Sequence, residues 1–283
     1  MNNKFHLNRF GRVLGYDGKH YFHNFGLTLA ILCAIPIFMW VLTLVFGFTM
    51  PVPFRAAVIY LCTLIAIILG PAKAFGDINL KREGVRFAML PASTFEKFLS
   101  YTLYSLLTVV IVFLGSYAID SLLTLLPTGG FDKFIHSFSI MDNVKMMMDD
   151  TFAVEEIDDA EVISAYELFN GLSRIADISN IIGIFFNTGL FMLGNLFFQT
   201  HKTAKTIVVM LVVSFIVSNL VQIIVLSSDS PFSIYMFTKP EELDLASISA
   251  LAKYVSIISM IINAILALGI YIGNYFKMKS LKY

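Results

Sequence analysis

Five groupings in this chain have residue types that chemistry uses. Gly15-Tyr-Asp-Gly18-Lys19-His20 combines glycines with a lysine, as phosphate-cradling loops do. It lacks the four residues between the glycines and the Ser or Thr after the lysine, and no β-α unit surrounds it, so it cannot bind a nucleotide that way. His20 and His23 stand three apart without a third ligand nearby, and His6, His136 and His201 are isolated, so no metal centre is expected. The acidic run Asp149-Asp150, Glu155-Glu156, Asp158-Asp159 and Glu161 does not match a calcium loop and reads as a solvated or disordered face. Cys33 and Cys62 fall inside apolar runs, which suits small core residues better than a disulfide or a metal pair. With no zinc-protease motif, glycine-flanked serine or redox cysteine pair, no catalytic residue and no cofactor is predicted, and the chain is not read as an enzyme.

The fifth grouping carries the most information. Lys81 to Leu99 is a charged interlude between two apolar runs, and within it Ser93 and Glu96 have the spacing of a capping box. The Ser hydroxyl and the Glu carboxylate of such a box each satisfy a backbone N–H that a helix start leaves unpaired. A helix is therefore expected from about Ser93, with Pro91 turning Leu90 away from helical dihedrals just before it. This stretch is a built corner between two helices.

Composition fixes the solvent in which the corner sits. The chain is 57% hydrophobic and 14% charged, with mean hydropathy +0.77, which is membrane protein composition. Stretches free of Asp, Glu, Lys and Arg occur at Phe25–Met50, Ala56–Ala72, Phe98–Ile119, Ile178–Thr200, Thr206–Ser228 and Tyr254–Phe276. Each approaches or exceeds the roughly 20 residues that cross a bilayer as a helix, and none alternates as a barrel strand does. The expected fold is an all-α integral membrane protein with six transmembrane helices. Its domain organisation is a cytoplasmic lead-in, residues 1–24, followed by one transmembrane domain, residues 25–283. The lead-in mixes Lys4, Arg9, Arg12 and Lys19 with aromatic and aliphatic residues, which suits a basic amphipathic helix on an anionic leaflet or a frayed tail.

Charge placement gives orientation. The two ends of the chain, the 73–97 loop and the Lys202/Lys205 turn carry fourteen Lys and Arg, against six on the other side. The richer side is expected to be cytoplasmic, with both termini inside. The 120–177 loop on the opposite side holds twelve acidic and three basic residues. Within it Phe131, Phe134, Ile135 and Phe138, and again Val162, Tyr166 and Phe169, recur at helical spacing, so two short amphipathic helices are expected there, on the membrane surface or on the bundle. A further short external helix should start near Pro240-Glu241-Glu242. Zero net charge gives no reason to expect nucleic acid as a partner.

The apolar runs contain no charge to serve as a proton or ion relay. Asn187, Asn195, Asn219, Gln222 and Asn263 lie within them, as pathway residues or, as we prefer, interhelical hydrogen-bond formers. Gly269 and Gly273 make a small-xxx-small pair that allows close helix packing, within the chain or across a dimer.

Six spans, basic ends and a corner reading Met-Leu-Pro-Ala-Ser-Thr-Phe-Glu-Lys-Phe, Met89 to Phe98, look like the permease subunits of ABC-2-type transporters, the bacterial ABC exporters. The resemblance spans the chain in topology and about a dozen residues in motif. It implies a multi-pass protein of the bacterial cytoplasmic (inner) membrane that forms a translocation pathway as a homodimer or heterodimer of permease subunits. It also implies a separate ATP-binding subunit docked on the 81–99 corner, where Arg86, Leu90, Pro91, Ser93, Glu96 and Lys97 would be the coupling residues. Two other classes fit the residues: a secondary transporter, and a non-transporting membrane partner or sensor that uses the acidic external loop.

Overall fold

The computed structural model describes residues 5–80, 84–126, 130, 131, 133–135, 142, 160–226 and 245–281. The chain is all-α there, and six of its helices are long and apolar enough to cross a membrane. In order these are α1 (Leu7–Phe46), α2 (Val52–Ala74), α4 (Thr94–Thr124), α5 (Ala160–Phe197), α6 (Lys202–Leu226) and α7 (Leu245–Ser280). A 3₁₀ turn (Gly76–Asn79) and the short α3 (Gly84–Met89) link α2 to α4.

Local sequence sets the boundaries. α1 stops at Gly47, whose φ of +66° only glycine adopts freely, with its N–H donating to Thr43 O at 2.9 Å. Pro51 and Pro53 then open α2, where proline's missing donor costs nothing. α4 starts with the expected capping box: Glu96 N–H donates to Ser93 Oγ at 3.3 Å, and Ser93 N–H donates to Glu96 Oε2 at 2.8 Å.

Two compact units result. The first comprises 1–136, 185–207 and 267–283, the second 137–184 and 208–266. In the first, α1 and α4 run side by side in the same direction. Tyr104 Oη donates to Leu14 O at 2.8 Å, Tyr21 Oη meets Thr108 Oγ1 at 2.8 Å, and Ser116 Oγ donates to Leu32 O further along. Since Thr108 gives its only proton to Tyr104 O, Tyr21 is the donor to Thr108. α2 runs the opposite way along α4, with Gly70 beside Thr108 and Arg55 beside Asp120. Rings fill the space between them: Tyr21 stacks on Tyr104 at 5.2 Å, and Phe75 meets Tyr101 edge-on at 5.0 Å. In the second unit α6 exposes Val208, Leu211, Phe215, Ile216 and Ile223, the all-round apolar surface of a helix solvated by lipid.

The ends of the spans differ from expectation. Residues 7–24 are no separate surface helix: they continue into α1, and Val13, Asp17, Gly18 and Tyr21 are buried. Val162, Tyr166 and Phe169 likewise belong to the start of α5, and α7 runs unbroken from Leu245. Near the other predicted external helix, the described residues of 130–135 are irregular rather than helical. Phe131 and Ile135 instead insert into apolar clusters with Met39 and Met50, and with Ala56 and Ile59. Burying both of these side chains against the bundle satisfies the apolar periodicity without a helix. The acidic run 149–159, Phe138 and Pro240 to Glu242 lie outside the described residues.

Candidate functional site

The corner is built from the 3₁₀ turn upward. Gly84 N–H donates to Leu80 O at 2.8 Å and so hangs α3 on the turn, and Ala92 N–H closes on Leu90 O at 2.8 Å before the cap at Ser93. Pro91 is exposed, Leu90 and Ser93 are half-buried, and Met89 and Phe95 are 78% and 47% exposed. Arg86 lies on α3 with a side chain outside the described residues.

Glu96 and Lys97 face the other way. Glu96 is fully buried at 0% exposure, and its carboxylate accepts four hydrogen bonds, one of which closes the cap. Arg9 Nε reaches Oε2 at 2.7 Å, Arg9 Nη2 reaches Oε1 at 2.8 Å, His6 N–H reaches Oε1 at 2.9 Å, and Ser93 N–H supplies the fourth. Lys97, 8% exposed, donates to Phe87 O at 2.7 Å with its ammonium 5.2 Å from the centre of the Phe87 ring. It also interacts electrostatically with Asp17. These two residues, expected beside a partner, hold the corner from within and offer it no surface. The reason is stoichiometric: a buried carboxylate needs donors, and α1 and the cap provide them all.

Beneath the corner, Asp17 is buried at 2% exposure and accepts a hydrogen bond from Ser100 Oγ at 2.6 Å. A small solvent-open cleft beside it is lined by His20, Asp77 and the rings of Tyr16, Phe75 and Phe87. Its two carboxylates are both engaged, Asp17 by Ser100 and Asp77 by His20 Nε2 at 3.3 Å. His20 also meets Asn24 at 3.0 Å, and among the described residues no group of three metal-ligating side chains forms.

Deeper in the first unit, Asn195 Nδ2 donates to Phe75 O at 3.1 Å and to Tyr101 Oη at 3.0 Å, and Asn274 Nδ2 donates to Gly189 O at 2.9 Å. Asn195 is therefore the interhelical bond former expected. Asn219 and Asn263 bond within their own helices, and Asn187 keeps Oδ1 buried without a protein partner. The Gln222 side chain lies outside the described residues. Cys33 and Cys62 are free thiols in the core. Gly269 has nothing within 4 Å of where a Cβ would sit, and Gly273 has only the Leu193 side chain at 3.9 Å. Close approaches occur at other glycines: Gly18 under Tyr104, Gly189 against Ile270 and Tyr271, and Gly194 against Thr206.

At the opposite end of α2 and α4, Arg55 and Asp120 form a bidentate pair, Nε to Oδ1 at 3.1 Å and Nη2 to Oδ2 at 2.7 Å, 1% and 2% exposed at their side chains. The Phe131 ring lies 4.1 Å under the guanidinium. Counting both charges as loop charges missed this pair. A signal was present: each stands one step outside an apolar run, where helix ends of neighbouring spans meet. The second missed residue, Asp17, interrupts the apolar stripe Val13, Tyr21, Phe25, which already marked its face as buried.

Comparison of the chain with protein families, with curated proteins and with solved structures gives no significant match.

Proposed function

We propose that the chain is the permease subunit of an ABC-2-like exporter in the bacterial cytoplasmic membrane, working as a dimer and coupled to a separate ATP-binding subunit through the 81–99 corner. The observation that carries this reading is the bracing of the corner. Glu96 ties it to α1, Lys97 ties α4 to α3, and the apex Met89, Pro91 and Phe95 is left outward. A stiff projection joining two spans is what turns a push on its tip into tilt of the spans. The basic segments also gather around it: Phe5 meets Phe95 at 6.1 Å, Phe95 meets Tyr275 at 6.3 Å, and Lys202 donates to Gly76 O. By the positive-inside rule that end is cytoplasmic, where an ATPase would be.

The docking residues are then the outward ones. Met89→Glu is expected to abolish co-purification of an ATP-binding subunit while leaving the melting temperature unchanged. Failure of any nucleotide-binding protein to co-purify with the unaltered chain from its native membrane overturns the reading.

One observation favours a secondary transporter instead, namely the buried carboxylate of Asp17. Uptake or efflux that collapses with the proton gradient and in Asp17→Asn, but not on ATP depletion, selects that reading.

A further inference from the structure

Where α2 gives way to the corner, three consecutive residues are each held by a different helix. Phe75 O accepts Asn195 Nδ2 from α5 at 3.1 Å, Gly76 O accepts Lys202 Nζ from α6, and the Asp77 carboxylate faces His20 Nε2 of α1 at 3.3 Å. The Phe75 ring, buried to 2% exposure, also packs edge-on against Tyr101 of α4. Connecting segments ordinarily turn their carbonyls to water. Here two successive carbonyls are capped by side chains 120 and 126 residues away in sequence.

The turn is stiff on both sides. Ile78 N–H donates to Phe75 O at 3.2 Å and Leu80 N–H to Asp77 O at 3.0 Å, and Leu80 O then holds Gly84 at the start of α3. α3 in turn is fastened to α4 by Lys97 through Phe87 O. A contiguous chain of contacts therefore runs from the cap of α4 through α3 to the turn, and from the turn to the end of α5 and the start of α6.

We propose that residues 75–77 are a positioning node: they pass displacement of the corner to the α5–α6 junction, with Asn195 and Lys202 as the receiving residues. The proposal rests on the exporter reading only for what displaces the corner, and concerns a different part of the chain from the docking apex. Contact alone does not establish coupling, so the test measures a response and not a baseline. The full chain is placed in lipid nanodiscs, and amide exchange is followed by mass spectrometry. Ser93→Ala, which removes the cap and loosens the corner, is the perturbation.

In the otherwise unaltered chain, Ser93→Ala is expected to raise exchange at 93–97 and, by roughly fivefold, the low end of ordinary coupling between sites, at 198–207. With Asn195→Leu and Lys202→Met also present, exchange at 93–97 still rises and 198–207 no longer responds. A merely structural pair would shift the starting exchange at 198–207 without changing its response. An equal response in both backgrounds, or none in the unaltered chain, overturns the node. If the double background does not fold, Lys202→Met alone is expected to cut the response by about half, and an undiminished response overturns the node equally. No ATP-binding subunit is present, so the node can stand in a chain that captures no ATPase and fail in one that does.

Discussion

Arg9 and Glu96 meet edge to edge, Nε 2.7 Å from Oε2 and Nη2 2.8 Å from Oε1, across 87 residues of sequence. The planar fork of the guanidinium fits both carboxylate oxygens at once, which a lysine ammonium cannot do. Arg9→Ala is expected to release residues 5–16 from the corner and to raise their protease sensitivity, and Arg9→Lys is expected to restore less than about half of the protection. Limited proteolysis in nanodiscs reads this directly. Full protection in Arg9→Lys means that charge alone, without the fork, fastens the start of α1.

A second prediction contrasts two glycines of α1. A Cβ on Gly18 runs into the Tyr104 hydroxyl, which is held in place by Leu14 O, whereas a Cβ on Gly15 meets nothing within 4 Å. Gly18→Ala is expected to cost about 1–3 kcal/mol through overpacking. Gly15→Ala should stabilise the helix by about 0.5–1 kcal/mol, because alanine loses less backbone freedom. Thermal unfolding in detergent compares the two, and equal effects of the same sign count against the close α1–α4 approach.

Arg55 and Asp120 give a third. Removing one member strands the other in the bundle, so Asp120→Ala is expected to cost about 3–5 kcal/mol. Replacing both, Arg55→Met with Asp120→Leu, should recover most of that loss, since an apolar pair needs no partner. A double-mutant cycle on melting temperature decides, and additive losses would show that the pair is not a unit.

Orientation supplies the fourth. Single cysteines at Ser93 and Thr151, in a background without Cys33 and Cys62, are expected to react with an impermeant maleimide from opposite sides of the membrane, Thr151 from outside. Labelling of both from one side overturns the six-span topology.

The spans and the start of α4 were legible because each signal is local. An uncharged run needs only its own length, and a capping box only residues 93 to 96. The inward direction of Glu96 and Lys97 was not legible, since it depends on Arg9 and Asp17 arriving from a helix 80 or more residues earlier. Arg55 illustrates the same limit from the other side. Its type and its place beside Pro53 fit a solvated loop charge, and only the register of α2 against α4 brings Asp120 to it. The Gly269/Gly273 spacing was read for close packing, yet within the chain Gly18, Gly189 and Gly194 take that part, because spacing says nothing about what faces a glycine.

The same-direction pairing of α1 with α4 sets an order for making the protein. Hydrogen bonds between these helices join residues 78 to 90 apart, so α1 enters the bilayer before the α4 side of its buried stripe has a partner. At ordinary synthesis rates of 5–20 residues per second, that wait is on the order of 4–18 s. During it Asp17 has no Ser100, Tyr21 no Thr108 and Arg9 no Glu96. α2 and α4, neighbours in the chain and antiparallel, also wait: Arg55 precedes Asp120 by 65 residues, or about 3–13 s at the same rates. α1 is thus held only in part until α4 is made, and during that interval the nascent chain is open to membrane insertases and quality-control proteases.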